Sequence, residues 1–280
     1  MRWYIFALLL IGAVWAGVVG AQRQLAGLPI APSPAAMLSS LRDVIMPRIV
    51  DRGDRTATSN QVPVLMYHHV QALPTEQQGT VDWGLSINPT DFAQQLNWLK
   101  QQGYRSVSMS DLASNRLPAK PIVLTFDDGY ADFYTTAWPL LRQYGFSATL
   151  YVITNRLDQT GFLTSNQLIT LAAGEVEIGS HSVSHPNMSK LSSEKLADEL
   201  VESRATLRRL TAQSVTSFCY PSGQYSDATV AAAEVAGYRT AVTTQEGLAS
   251  MDDAYTLNRL RIKPSLTLAG FSELLLAQSK

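Results

Sequence analysis

From Val62 onward the sequence alternates short β-branched runs with amphipathic stretches, and few architectures accommodate that alternation. Strands are expected over residues 62–67, 105–108, 122–126, 148–153, 176–178, 215–218, 239–242 and 257–262. Helices fall between them, most clearly over 91–102, 131–144, 193–210, 227–236 and 268–278, with Gly103, Gly145 and Gly237 where a helix should stop. Repeated βα units wind around a mainly parallel sheet. Seven or eight of them make an α/β fold of the (β/α) barrel type, distorted or incomplete, as one domain over 62–280. A 280-residue chain that is 46% hydrophobic has enough apolar material for such a core. In the helix from Ser193, Leu196, Leu200, Leu207 and Leu210 share one stripe, so this helix is expected to pack and to carry no chemistry.

The amino-terminal residues follow a different logic. After Arg2, an uncharged and mostly apolar run of 18 residues extends from Trp3 to Gly20. It approaches the roughly 20 residues that cross a bilayer and exceeds the ~7–15-residue core of an ordinary signal peptide. Residues 1–21 therefore read as a membrane anchor. The competing expectation is a signal peptide cleaved after Val19-Gly20-Ala21. Either makes an exported protein: anchored to the inner membrane and facing the periplasm or cell exterior, or secreted. Residues 22–61, with Pro29, Pro32, Pro34 and Pro47 and few aromatics, read as a tether.

Charge and cysteine content narrow the function classes. The net charge is −1, with acidic and basic residues scattered, which gives no footprint for nucleic acid and favours a neutral substrate. The single cysteine, Cys219, excludes an internal disulfide, and no Cys-X-X-Cys spacing exists.

Chemistry concentrates at two strand ends. The buried-strand pattern Ile122-Val123-Leu124-Thr125-Phe126 stops at Asp127-Asp128-Gly129, which puts two carboxylates at the carboxyl end of a strand, where α/β active sites lie. Adjacent acids in a half-buried place need a compensating cation or proton. Taken alone, Asp-Asp-Gly could equally be a simple turn. A second strand, Val176-Glu177-Ile178-Gly179-Ser180, runs into His181-Ser182-Val183-Ser184-His185. Two of the four histidines thus stand four apart after a strand, and their imidazoles converge if the segment forms one helical turn. With Asp128 they make a metal-binding set of two imidazoles and one carboxylate. Zinc is the default ion; cobalt, nickel and ferrous iron accept the same donors.

These residues resemble the NodB-type polysaccharide deacetylases, also called carbohydrate esterase family 4, over the stretch from about Val62 to the carboxyl terminus. Thr125-Phe126-Asp127-Asp128-Gly129 matches the first family motif in full, and His181-Ser182-Val183-Ser184-His185 matches the second. The resemblance implies that Asp127 is the catalytic base and that Asp128, His181 and His185 hold the metal. The third motif, Arg-X-Pro-aromatic-Gly, survives only partly as Cys219-Tyr220-Pro221-Ser222-Gly223. In the family its arginine positions the base, and the backbone N–H after the proline helps hold the oxyanion. The N–H of Ser222 retains the second role, and Arg259, or else Arg261, is expected to supply the missing guanidinium.

The family's C-terminal Leu-X-His, source of the general acid, is absent, since no histidine follows His185. His68 and His69 are the remaining candidates, at the end of a strand that resembles the N-terminal segment of the circularly permuted subgroup acting on poly-β-1,6-N-acetylglucosamine. His68 is favoured over its neighbour, because strand alternation sends adjacent side chains to opposite faces. Tyr130 and Tyr220 adjoin the motifs and are expected to meet the sugar. The implied activity is metal-dependent hydrolysis of N-acetyl groups on an N-acetylglucosamine polysaccharide, with exopolysaccharide export machinery as an expected partner. Competing expectations are peptidoglycan, chitin oligomers or O-acetylated xylan as substrate, and a non-catalytic glycan-binding module.

Overall fold

The computed structural model describes residues 61–277, apart from 74 and 175. The expectations for the anchor or signal and for nearly all of the tether lie outside these residues. Among the described residues no helix is long and apolar enough to cross a membrane.

The eight expected strands all form, with bounds shifted by a few residues: β1 (Val64–Tyr67), β2 (Arg105–Ser106), β3 (Pro121–Phe126), β4 (Thr149–Val152), β5 (Glu177–Ser180), β6 (Ser217–Cys219), β7 (Thr240–Glu246) and β8 (Leu257–Arg261). Seven of them close into a parallel barrel in chain order. The closure falls on β1, which pairs with β3 from Val64↔Val123 to Tyr67↔Phe126 and with β8 at Leu260↔Leu65 and Arg261↔Met66. The expectation of an incomplete barrel is therefore corrected. A four-residue strand that is buried throughout needs partners for its backbone groups, and pairing on both edges supplies them. The short β2 stands outside the ring, paired with the start of β3. There Ser106 Oγ accepts the backbone N–H of Ser147 at 2.7 Å.

Strand alternation sorts side chains between two cores. Leu65, Tyr67, Leu124, Phe126, Leu150 and Val152 point outward into the layer shared with the helices. Their neighbours Val64, Val123, Tyr151, Cys219 and Val242 point into the barrel. The interior carries polar groups that satisfy one another: the Tyr151 hydroxyl lies 2.7 Å from Ser217 Oγ, which Thr240 Oγ1 also meets at 3.0 Å. Gly179 makes room for the Tyr151 ring, since a Cβ there would stand 2.5 Å from the ring. Gly179→Ala is expected to destabilise the domain by about 1–3 kcal/mol, an overpacking cost read from the midpoint of a urea titration.

The helices begin and end where local chemistry dictates. Pro89–Gln101 starts with Asn88, whose side chain accepts the N–H of Thr90, and with Pro at its first position. Trp138–Tyr144 stops at Gly145, which takes φ 81°. The expected helix over 131–144 is entered by a wide π-type turn, Phe133–Ala137. Helices Ser165–Ala173 and Met109–Ala113 lacked a long enough apolar period to stand out in the sequence. The segment from Ser193 is helical to Thr211 but is interrupted by a second π-type turn, Asp198–Glu202. Leu196, Leu200 and Leu207 are buried, as the stripe requires.

Candidate active site

Because all seven strands run parallel, their carboxyl ends gather at one mouth of the barrel. Asp127 continues the inward register of β3 and is 3% exposed. From β8, the fully buried Arg259 reaches it inside the barrel and donates through Nη1 to Oδ1 and Nη2 to Oδ2, each at 2.8 Å. The guanidinium is itself fixed: Nη1 donates to Thr125 Oγ1 at 3.0 Å and Nε to the Thr243 carbonyl at 2.8 Å. Burial pushes the Asp127 carboxyl up, but the Arg259 charge and its two hydrogen bonds more than offset this and hold it well below the usual carboxylate range. Arg261, the alternative, is half-exposed, and its backbone N–H meets Glu246 Oε2 at 3.4 Å.

Cys219 occupies the place where the expected motif carries arginine. Its thiol lies 3.3 Å from Arg259 Nη2 and 3.6 Å from Asp127 Oδ2. A small side chain on β6 thus leaves the space that the β8 guanidinium fills. Nothing local in the sequence announced this contact, because the two residues stand 40 positions apart.

His68 extends the inward register of β1 by one step beyond Met66. Its Nε2 is 3.8 Å from Asp127 Oδ2. Burial lowers its basicity below that of an ordinary imidazole, against the pull of Asp127 and Asp128. His69 faces the other way, with Nδ1 2.7 Å from Asp132 Oδ1. The alternation rule thus separates the two histidines, and only His68 confronts the acid that Arg259 holds.

Asp128, His181 and His185 converge beside this pair. Asp128 Oδ1 stands 3.4 Å from His181 Nε2 and 3.7 Å from His185 Nε2, and the three donor atoms all lie within 4.8 Å of one another. Tetrahedral coordination with bonds of about 2.0–2.2 Å separates ligand atoms by about 3.3–3.6 Å, so the set fits a divalent ion. His181 is oriented for the task. Its Nδ1 lies 2.7 Å from the Cys219 carbonyl, which can only accept, so Nδ1 carries a proton and Nε2, which faces Asp128, is the nitrogen left to bind a metal. Asp127, His181 and Cys219 also cluster, but Arg259 already binds Asp127 and contacts the thiol, which leaves no place for a second cation.

The histidine segment is not the helical turn expected from its spacing. Ser182 and His185 both take left-handed backbone conformations, with φ 68° and 61°. Glu199 holds the loop open: its Oε2 accepts the N–H groups of Val183 and Ser184 at 2.8 and 2.9 Å, and its Oε1 accepts the Ser184 hydroxyl. Glu199 stands in the π-type turn of the helix from Ser193, so that helix serves the site as well as the core. No period along the chain singles it out.

Left-handed residues recur around the mouth, at Asp128 (φ 75°) and at Ser222 (φ 52°), each followed by a left-handed glycine. Such conformations cost of order 1–3 kcal/mol each for a non-glycine residue and persist where surrounding structure imposes them. Ser222 is exposed in the turn after β6. Tyr220 is fully buried, stacked on Tyr225 with centroids 4.7 Å apart, and its hydroxyl donates to the Tyr255 carbonyl at 3.1 Å. The expectation that Tyr220 meets a sugar is corrected: its ring is core. Tyr130 is half-buried, and its ring is stacked against both His69 and Phe162.

A closed (β/α) barrel with a guanidinium-locked acid, a facing imidazole and a two-histidine, one-carboxylate cluster gathers at its carboxyl mouth the kinds of group that hydrolytic sites of this fold use. Comparison with known proteins gives the family. The polysaccharide deacetylase family model matches residues 114–241. YxkH of Bacillus subtilis, named for the same family, is 30% identical over 223 residues, which is 78% of this chain and 77% of that protein. The solved structure of the Streptococcus pyogenes deacetylase PplD in complex with acetate superposes with a TM-score of 0.72 at 33% identity, covering 79% of this chain and 98% of that one. The poly-β-1,6-N-acetyl-D-glucosamine N-deacetylase of Staphylococcus epidermidis is 25% identical over 196 residues, 63% of this chain and 68% of that protein. The chain belongs to the polysaccharide deacetylase family, and it is an enzyme of that class.

Proposed function

We propose that this enzyme removes N-acetyl groups from an N-acetylglucosamine polysaccharide, with poly-β-1,6-N-acetylglucosamine as the substrate, and that it does so with a divalent metal, zinc by default. The observation that carries the reading is the buried Asp127–Arg259 pair, set between His68 and the converging atoms of Asp128, His181 and His185. Support for the polymer comes from the similarity to the Staphylococcus epidermidis enzyme. It also comes from barrel order, since the strand bearing His68 precedes the Asp127 strand, as circular permutation requires. The apolar run from Trp3 to Gly20 supports export, with the enzyme held at the membrane beside an exopolysaccharide export apparatus, or secreted if the run is cleaved.

A divalent ion held by Asp128, His181 and His185 would polarise the acetyl carbonyl and acidify a water beside it. Asp127 takes the proton of the attacking water on its carboxylate. Its depressed basicity makes it a transient holder that passes the proton on. Arg259 keeps both carboxylate oxygens in place, so that attack is not delayed by rotation. The backbone N–H of Ser222 meets the oxyanion that forms at the acetyl carbon. His68, neutral at rest because burial lowers its basicity, receives a proton on Nε2, the atom facing Asp127, and delivers it to the departing amine. Acetate and a glucosamine unit result.

An amine leaves poorly without a proton, whereas an alkoxide leaves more readily. His68→Ala is therefore expected to lower acetate release from N-acetylglucosamine oligomers about 10²- to 10⁴-fold while lowering release from an O-acetyl ester far less. Equal losses on both substrates would remove His68 as the acid.

A further inference from the structure

The two histidines of the metal-binding set are held in different ways. His181 directly follows β5, and its ring is fixed by the Cys219 carbonyl. Among the described residues none hydrogen-bonds the His185 ring, which is 31% exposed. Metal-ligating imidazoles ordinarily carry such a partner on their second nitrogen, so the aim of His185 has to come from its backbone. Two N–H groups of the loop are satisfied locally: Ser182 donates to Ser180 Oγ at 3.3 Å and His185 to Ser182 Oγ at 2.9 Å. The two between them, of Val183 and Ser184, converge on Glu199 Oε2, and the Ser184 hydroxyl donates to Oε1. Three donors on one carboxylate make a small anion nest, and bonds to a charged acceptor are about twice as strong as neutral ones. Glu199 is aimed by its own turn. Ser203 Oγ donates to the Glu199 carbonyl at 2.6 Å and lies 2.8 Å from Ser180 Oγ, while the Tyr238 hydroxyl donates to the Leu200 carbonyl at 2.9 Å. The π-type turn Asp198–Glu202 is thereby fastened to β5 one residue before His181.

We propose that Glu199 is a positioning residue for the metal centre: it holds the left-handed backbone that turns the His185 imidazole towards His181 and Asp128, with Ser203 and the π-type turn as its support. This rests on the proposed metal centre. Left-handed conformations at Ser182 and His185 persist only while the surroundings impose them. Thr154 and Asn155 donate to the Ser182 and Val183 carbonyls at 3.2 and 3.0 Å, which fixes the first half of the loop. Among the described residues Ser184, which directly precedes His185, makes its hydrogen bonds to Glu199 only. Without that carboxylate the Val183 and Ser184 N–H groups turn to water, the loop relaxes, and His185 faces Asp128 for only part of the time. Positioning contacts of this kind contribute about 10- to 100-fold to metal affinity.

The test is calorimetric titration of metal-free full-length protein with zinc, comparing the parent with Glu199→Ala and Glu199→Gln, each also made in a His185→Ala background. Glu202→Ala, an exposed position in the same turn, is the control and should bind zinc as the parent does. Glu199→Ala is expected to lower zinc affinity about 10- to 100-fold. Glu199→Gln should lose less, because it keeps one acceptor oxygen but gives up the charge and places N–H donors against the loop. In the His185→Ala background both Glu199 substitutions should change the remaining affinity by less than about twofold, because Glu199 acts through His185. A general loosening of the domain would lower affinity equally in both backgrounds, and that result would overturn the proposal, as would parental affinity in Glu199→Ala. If Glu199→Ala does not fold, the Glu199→Gln pair decides by the same comparison. A parent that binds no zinc would overturn the metal centre itself, and this inference with it.

Discussion

Arg259→Ala is expected to abolish measurable turnover and to destabilise the domain by about 3–5 kcal/mol, the cost of leaving one charge of a buried pair without its partner. Arg259 has no exposure, and its bonds converge on Asp127, Thr125 and Thr243, so truncation strands several acceptors at once. In a domain of this size the loss corresponds to about 6–20 °C in melting temperature. Lysine should not rescue it, because an ammonium cannot serve both oxygens of Asp127 in one plane. Arg261→Ala is the matched control, and as a partly exposed residue it should change stability by less than about 0.5 kcal/mol.

The same pair shapes the acid limb of stability. The Asp127 carboxyl is depressed in the folded state, so its contribution is full above the ordinary aspartate value of 3.8 and is lost as pH falls below it. Arg259→Ala should flatten that limb. An Arg259→Ala protein with parental activity, or with the parental acid profile, would remove the guanidinium from the base.

Asp127→Asn carries the second large effect. The amide cannot take a proton from water, so kcat should fall by about 10²- to 10⁴-fold or more even with saturating metal. Zinc affinity should stay within a few-fold of the parent, because Asp128, His181 and His185 are untouched. Stability should fall by about 1–3 kcal/mol, since the amide Nδ2 presents hydrogens where Arg259 Nη2 needs an acceptor. Turnover and calorimetric zinc binding, measured on one preparation, separate a lost base from a lost metal site.

How much of this was legible in the sequence follows the range of the interactions. Strand and helix positions were readable because apolar period and glycine stops are local, and the inward face of His68 followed from alternation along β1. Barrel closure was not, because it depends on pairing Val64 with Val123 and Leu65 with Leu260, across most of the chain. The two-histidine spacing pointed to convergence, yet the loop achieves it through left-handed Ser182 and His185 under the grip of Glu199, a contact invisible to any helical count. Tyr220 misled because adjacency to a motif says nothing of which way a ring turns; here it turns into the core against Phe218 and Tyr225. Arg259 was a candidate beside Arg261 only through the resemblance to the family motif, and the reason it fits, the small Cys219 against its guanidinium, lies 40 positions away in the chain.

In the proposed reaction Asp127, held by Arg259, works beside a metal bound by Asp128, His181 and His185 to deacetylate a glucosamine polymer. Acetate release from poly-β-1,6-N-acetylglucosamine oligomers by the full chain tests it most directly, measured after chelation and again after adding zinc, with Asp127→Asn in parallel. Release should stop with chelator, return with zinc and be lacking in Asp127→Asn. Release that persists through chelation, or that Asp127→Asn retains, would contradict it.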